Sequence, residues 1–372
     1  MNSRLAVSIT LSLILSGSSV MAGSTTLVST KSQKNQSNGA SSDPSVSDTG
    51  DFIAFVSVAN NLAARCNNGA NQIFVRDQTA GTITCVSVNS DGKQGDQDSH
   101  APSISSDGRF IAFDSAATNL TGGKCDNGLN HIFVRDRSAG TTICVSVHSN
   151  GTEGNGDSFE PSISSDGHRV VFHSSATNLT TRCTNGNFHV YLHDLTTGQT
   201  RCLSVDSNGD QGDGNSDLPR ISGDGLFVAF ESNGTNLTSR CNNAFTQIFV
   251  RDLTNDKTSC ASVDNHGNQG NNDSIQPSIS SDGQSVAYSS VATNLSTTRC
   301  ITGNSQVFVR DRSATKTTCV SVDSKKKEGN GGSVTPSISG NGSQVAFESI
   351  SNNLVKKDKN GILDVFVHSL PY

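Results

Sequence analysis

Six times in this 372-residue chain a serine stands three residues before a proline: Ser41, Ser99, Ser158, Ser216, Ser274 and Ser333. The two residues between serine and proline change at every occurrence: Ser42-Asp43, His100-Ala101, Phe159-Glu160, Asp217-Leu218, Ile275-Gln276 and Val334-Thr335. A residue type that recurs holds a scaffold. Divergent positions on that scaffold are where specificity can be placed. Asp43, His100, Glu160, Asp217 and Gln276 are therefore the candidate binding residues. His100, Glu160 and Asp217 also come from three consecutive occurrences. Brought to one point, they would offer a metal or general acid–base site of the kind a lyase or hydrolase uses. The recurring serine itself reads as structural, a turn residue bonding nearby backbone N–H groups.

Ten cysteines form the second pattern. Cys66 and Cys85, Cys125 and Cys144, Cys183 and Cys202, Cys241 and Cys260, and Cys300 and Cys319 are each separated by 19 residues. The first of each pair falls in a polar loop and the second opens the strand after it. At the sixth occurrence both are missing, with Asp358 and Leu27 in their places. Bridges between neighbouring units would leave two cysteines stranded, whereas bridges within a unit leave none. Five disulfides within units are expected, each closing a short loop and contributing roughly 3 kcal/mol. A set of metal thiolates is the alternative, but the sequence has no CxxC.

Oxygen ligands for a cation are spaced in "DKNGILD", where Asp358, Asn360 and Asp364 would suit calcium at the place where the sixth disulfide is lost. Solvated turn acids are the plainer reading, and no other cofactor is implied. No GxSxG elbow, HExxH or P-loop is present, and the GxG stretches lack a third glycine and a βαβ context. His131 and His189 share one position with Gln72, Gln247, Gln306 and Asp364. It reads as a hydrogen-bonding site at the start of a strand.

These residues are positioned by a repeat. "PSISSDGRFIAF" and its variants begin at Pro44, Pro102, Pro161, Pro219, Pro277 and Pro336, at intervals of 58 or 59 residues. A fixed period of this size signals a solenoid or a propeller. Each unit reads as four short strands. Strand a is "PSIS", strand b follows a DG or NG turn, strand c is "IFV", and strand d is "CVSV". No stretch sustains a helical period. A unit of this size cannot bury both faces alone, but six arranged radially can. The expected fold is all-β, a six-bladed β-propeller of four-stranded blades with its divergent positions on the channel rim. The last unit carries strands a to c only, while "TTLVST" at 25–30 copies strand d ahead of the first blade. That segment is expected to complete the sixth blade and remove an open edge.

Residues 1–22 have the form of a secretory signal, with Arg4, an apolar run at 5–15 and small residues before Ala22. An exported protein, periplasmic or extracellular, is expected, and no membrane span follows. The net charge of −6 is dispersed and acidic, which argues against nucleic acid as a partner.

The repeat "PSISSDGRFIAF" followed by "IFVRD" resembles the WD40-like PD40 repeats of the TolB family, over about residues 25–370. That resemblance implies a β-propeller that binds protein partners in the bacterial periplasm. TolB itself carries a further amino-terminal α/β domain, for which this chain has no room, and the cysteine pairs depart from the family pattern. The sequence thus points to a non-catalytic protein-binding module acting through its rim. A propeller lyase or hydrolase and a structural envelope or surface protein are the alternatives.

Overall fold

The computed structural model describes residues 25–32, 35–297, 299–356, 358 and 360–370. The signal-like stretch 1–22 lies outside them. All regular structure among the described residues is β, with no helix. Blade 1 consists of strands a to d at Ser41–Val46, Phe52–Ser57, Gln72–Asp77 and Thr82–Cys85. The same four-stranded antiparallel meander recurs from Ser99, Ser158, Ser216 and Ser274. Blade 6 has strands a to c at Ser333–Ile338, Gln344–Ser349 and Asp364–Ser369. The fold is a six-bladed β-propeller.

The a–b turn shows why the repeat needs its DG pair. Gly108 has φ +68°, and a Cβ there would strike the Phe52 ring of the preceding blade. The glycine thus serves both the turn and the close approach of two blades. Asp107 closes the same turn, accepting from Ser105 Oγ at 2.6 Å and from the Arg109 amide at 2.9 Å.

Inside each blade a strand b aromatic stacks on a strand c aromatic, as Phe113 does on Phe133 with centroids 5.9 Å apart. Between blades the apolar faces interleave. Val75 and Val86 of blade 1 share one core with Ile111, Phe113 and Phe133 of blade 2. Equivalent cores join blades 2 to 6 in succession. Each such side chain, fully buried, contributes about 2 kcal/mol. Polar bonds fix the blade spacing. Thr142 Oγ1 donates to the Val88 carbonyl of the preceding blade, and the Arg135 guanidinium donates to Asn89 O at 3.1 Å. Strand a of one blade is tied to the next by Ser103 Oγ, which accepts from the Ile163 amide at 3.0 Å.

All five disulfides lie within blades, with Cα–Cα distances of 6.1 to 6.4 Å, inside the range a bridge requires. The cysteine ends strand d instead of opening it. Thr82–Cys85 pairs with Asp77–Phe74 directly after a tight turn. Beyond Cys85 the Val86 amide still donates to Ile73 O at 2.8 Å, and Ser87 Oγ then accepts from the Ile73 amide. The recurring serines also act differently from expectation. Ser99 Oγ bonds Ser115 Oγ at 3.1 Å in a fully buried pair, and Ser115 Oγ caps the Asp98 carbonyl and the Ala117 amide. The serine pair thus clamps strand a to strand b, because a hydroxyl both donates and accepts.

The structure departs from expectation at the ring seam. Residues 25–30 do not pair with strand c of blade 6, which remains three-stranded. Val28 packs on Ala59, Leu62 and Phe74 of blade 1, while residues 25–27 are exposed.

Replacing Cys183 and Cys202 together by serine is expected to lower the unfolding free energy by about 3 kcal/mol. Denaturant titration of the oxidised proteins measures it, and the other four bridges should be retained.

Candidate functional site: the channel rim

Strand a begins with an irregularity that all six blades share. The residue before the proline takes a left-handed conformation: Asp43 (φ 50°), Ala101 (46°), Glu160 (51°), Leu218 (46°), Gln276 (58°) and Thr335 (50°). None is glycine, so each carries strain of about 1 kcal/mol or more. The ladder shows why. His100 pairs with Asp114, and pairing resumes only at Ser103 opposite Ala112. The proline has no N–H to give, so the strand bulges there and turns the preceding residue out of the sheet.

Neighbouring blades use the freed amides. The Gln276 N–H donates to Glu231 Oε2 at 2.7 Å, across the junction of blades 4 and 5. The Glu160 N–H bonds the Asp114 carboxylate across the junction of blades 2 and 3. The acids at these junctions occupy one repeat position, directly after the strand b aromatic. That position reads Val56, Asp114, His173, Glu231, Ser289 and Glu348 around the ring.

The outcome is a cavity of about 740 Å³ whose lining includes Asp43, His100, Asp114, Phe159, Glu160 and Arg220. It gathers side chains from four blades. Arg220 approaches Glu160 with Nη2–Oε2 3.4 Å. Asp114 is 4% exposed. Burial, and then the neighbouring Glu160 charge, push its carboxyl up to about 7. Burial likewise raises Asp217 and Glu231. His173, enclosed by Phe159 and Phe188, is pushed down to about 4 by burial and by Arg220. It is neutral at physiological pH. At the opposite end the a–b turns join one another: the Ser106 amide donates to Ser165 O, the Ser165 amide to Gly223 O, and the Asp224 amide to Ser281 O.

Of the five rim residues read from the sequence, Asp43, His100 and Glu160 line this cavity. Asp217 and Gln276 do not. Asp217 pairs with Glu231 in the blade 4 ladder. The Gln276 side chain is engaged by Ser289 Oγ at 3.2 Å and the Thr335 amide at 3.1 Å. Sequence reasoning missed Asp114 and Arg220. Their signals were the charged residue after "FIAF", and the arginine standing where the other units have "PS".

Asp358, Asn360 and Asp364 line a different cavity, a groove of about 800 Å³ along strand c of blade 6. They could face a cation there, though Asn360 Oδ1 already accepts from the Ile362 amide at 3.2 Å. The tight Cys–His–Cys groups at His131 and His189 do not suit a metal, because their cysteines are bonded to each other. Both ring nitrogens of His131 lie 2.9 Å from Ser146 Oγ and Asn127 Oδ1.

No family model matches the chain, and no curated protein matches it. Solved structures do. A TolB crystal structure from Acinetobacter baumannii aligns with TM-score 0.47 and 19% identity over 82% of this chain, which spans 62% of that one. The β-propeller domain of the Trilobed protease from Pyrococcus furiosus, described as having an open velcro topology, aligns with TM-score 0.52 and 10% identity over 88% of this chain and 82% of that one. An oligogalacturonate lyase in complex with manganese aligns with TM-score 0.50 and 11% identity, over 86% and 74%. At these identities the likeness is one of fold.

Because the folded state holds the Asp114 proton to about pH 7 while the unfolded chain releases it near pH 4, Asp114 makes stability fall as pH rises from 4 to 7. The limit is about 1.4 kcal/mol per pH unit. Asp114→Asn is expected to remove that slope and to be the more stable protein above pH 7. Denaturant titrations across pH 4–8 measure it.

Proposed function

We propose that the protein is an exported, non-catalytic binding module whose channel rim receives a cationic group of a protein partner. The observation that carries this is the rim cavity. Asp43, Asp114 and Glu160 reach it from three blades, against Arg220 and His100. An excess of carboxylates in a partly enclosed site favours a lysine, arginine or terminal amine, since a low local dielectric strengthens each charge-assisted bond. The strained residues before each proline make the site rigid, which lowers the ordering cost of association. An entering cation would also stabilise ionised Asp114, so binding would release a proton below pH 7.

The likeness to the TolB fold supports a protein partner by analogy, and the five disulfides suit an oxidising compartment. The enzymatic reading needs His100, Glu160 and Asp217 at one point. The cavity brings the first two together and leaves the third outside its lining.

Affinity capture from the source organism's envelope and secreted fractions tests the proposal. Wild type is compared with an Asp43→Asn, Glu160→Gln variant shown to be folded. A protein retained by wild type and lost by the variant is expected. Its affinity, measured with the purified partner, should rise between pH 6 and 8. Equal retention by both baits would contradict a rim site.

A further inference from the structure

A cavity of about 790 Å³ lies across strand d of blade 4 (Lys257–Cys260) and against blade 5. It shares no lining residue with the rim cavity. Its charged lining is Arg240, Lys257, Arg310 and Arg312, with a single acid, Asp206. Among the described residues none of these four cations forms an ion pair. The Asp206 carboxylate is held in its own turn, where it accepts from the Asn208 and Asp210 amides, each at 2.8 Å. The neighbouring acids Asp252, Asp264 and Asp311 are tied to turn amides in the same way.

Two of the cations are fixed in place. Arg310 is 9% exposed, and its Nη1 donates to Asp264 O at 3.2 Å and to Thr317 Oγ1 at 3.1 Å. Arg312 donates to Gly283 O at 2.6 Å, and its guanidinium lies 4.4 Å over the Phe227 ring. Arg240 and Lys257 are exposed. Arg240 is near enough to Arg310 to repel it.

The adjoining seam shows the same groove neutralised. Between blades 3 and 4 the cavity is about 320 Å³, with Arg182, Arg201, Arg251 and Asp256 in its lining. Asp256 accepts from Arg201 at 2.5 Å and from Arg251 at 3.0 Å. One blade on, Arg182 and Arg251 recur as Arg240 and Arg310, but Thr315 takes the place of Asp256 and Arg312 that of Leu253. An acid is lost and a cation gained. Thr315 keeps the left-handed backbone of Asp256, with φ 52° against 51°, at a position that is Gly81, Gly140 and Gly198 in blades 1 to 3. A β-branched residue is strained there, and its hydroxyl is carried on the cavity wall.

We infer that this groove binds a doubly charged oxyanion, a phosphate or sulfate group, between Arg240, Lys257, Arg310 and Arg312. A planar guanidinium meets two oxygens of such a group at once, and lysine adds a point charge. A single carboxylate would leave most of the positive charge unbalanced. The free ion and an ester carried on a larger molecule present the same oxygens.

Calorimetric titration of the intact, oxidised protein with inorganic phosphate, and separately with sulfate, tests the inference. Low-salt buffer at about pH 8 keeps phosphate doubly charged. One saturable site is expected, with acetate at least about tenfold weaker. Thr315→Asp gives blade 5 the acid that blade 4 already carries at the same backbone conformation, so the fold is kept. It is expected to weaken phosphate binding about tenfold or more. Arg240→Gln, at an exposed position, is expected to weaken it as well. Glucose 6-phosphate and glucose 6-sulfate distinguish the sources. Tighter binding than the free ions assigns the group to a larger ligand, and equal or weaker binding assigns the free ion. No saturable binding of either ion by wild type would overturn the inference, and so would unchanged binding by Thr315→Asp.

Discussion

Each blade has two apolar faces and too few residues to cover either, so every blade depends on its neighbours. This constraint organises the molecule. Ile111, Phe113 and Phe133 are wholly buried only because blade 1 lies against them. Inter-blade bonds such as those of Thr142 to blade 1 and Ser103 to blade 3 set how closely neighbouring sheets approach. The disulfides act within blades, holding the long b–c loop to the end of strand d. They stiffen each blade without joining one to the next.

The rim follows from the same geometry. Strand a is innermost, and its proline can lose a ladder bond at no cost because it has no N–H to offer. The bulge there lifts one residue per blade out of the sheet into a left-handed conformation. The freed amides are taken up by acids of the preceding blade. Carboxylates are thereby drawn into a place with little water. Asp114 bears the result, a carboxyl raised to about 7 by burial and by Glu160. A positive group entering the cavity would relieve that strain, which is why the proposed ligand is cationic.

Much of the fold was legible in the sequence, because period, turns and strand pattern all repeat. The intra-blade disulfides were legible too, from the shared absence at Asp358 and Leu27. The site was legible in part. Divergence within a recurrent motif located Asp43, His100 and Glu160. It failed for Asp217 and Gln276, which stand at the equivalent positions in blades 4 and 5, outside the lining of that cavity. Asp114 and Arg220 were hidden because each belongs to a strand and looked like part of the sheet. The charge of Arg220 where the other units place serine, and of Asp114 directly after the strand b aromatic, was the available signal. That blade 6 has three paired strands among the described residues was not legible, since every other unit supplies a fourth.

Calorimetry of the oxidised protein tests the central claim, that the blades are stable only through one another. Shared faces predict a single unfolding transition whose calorimetric and van't Hoff enthalpies agree. A thermogram that resolves into separate transitions of one or two blades each would contradict it.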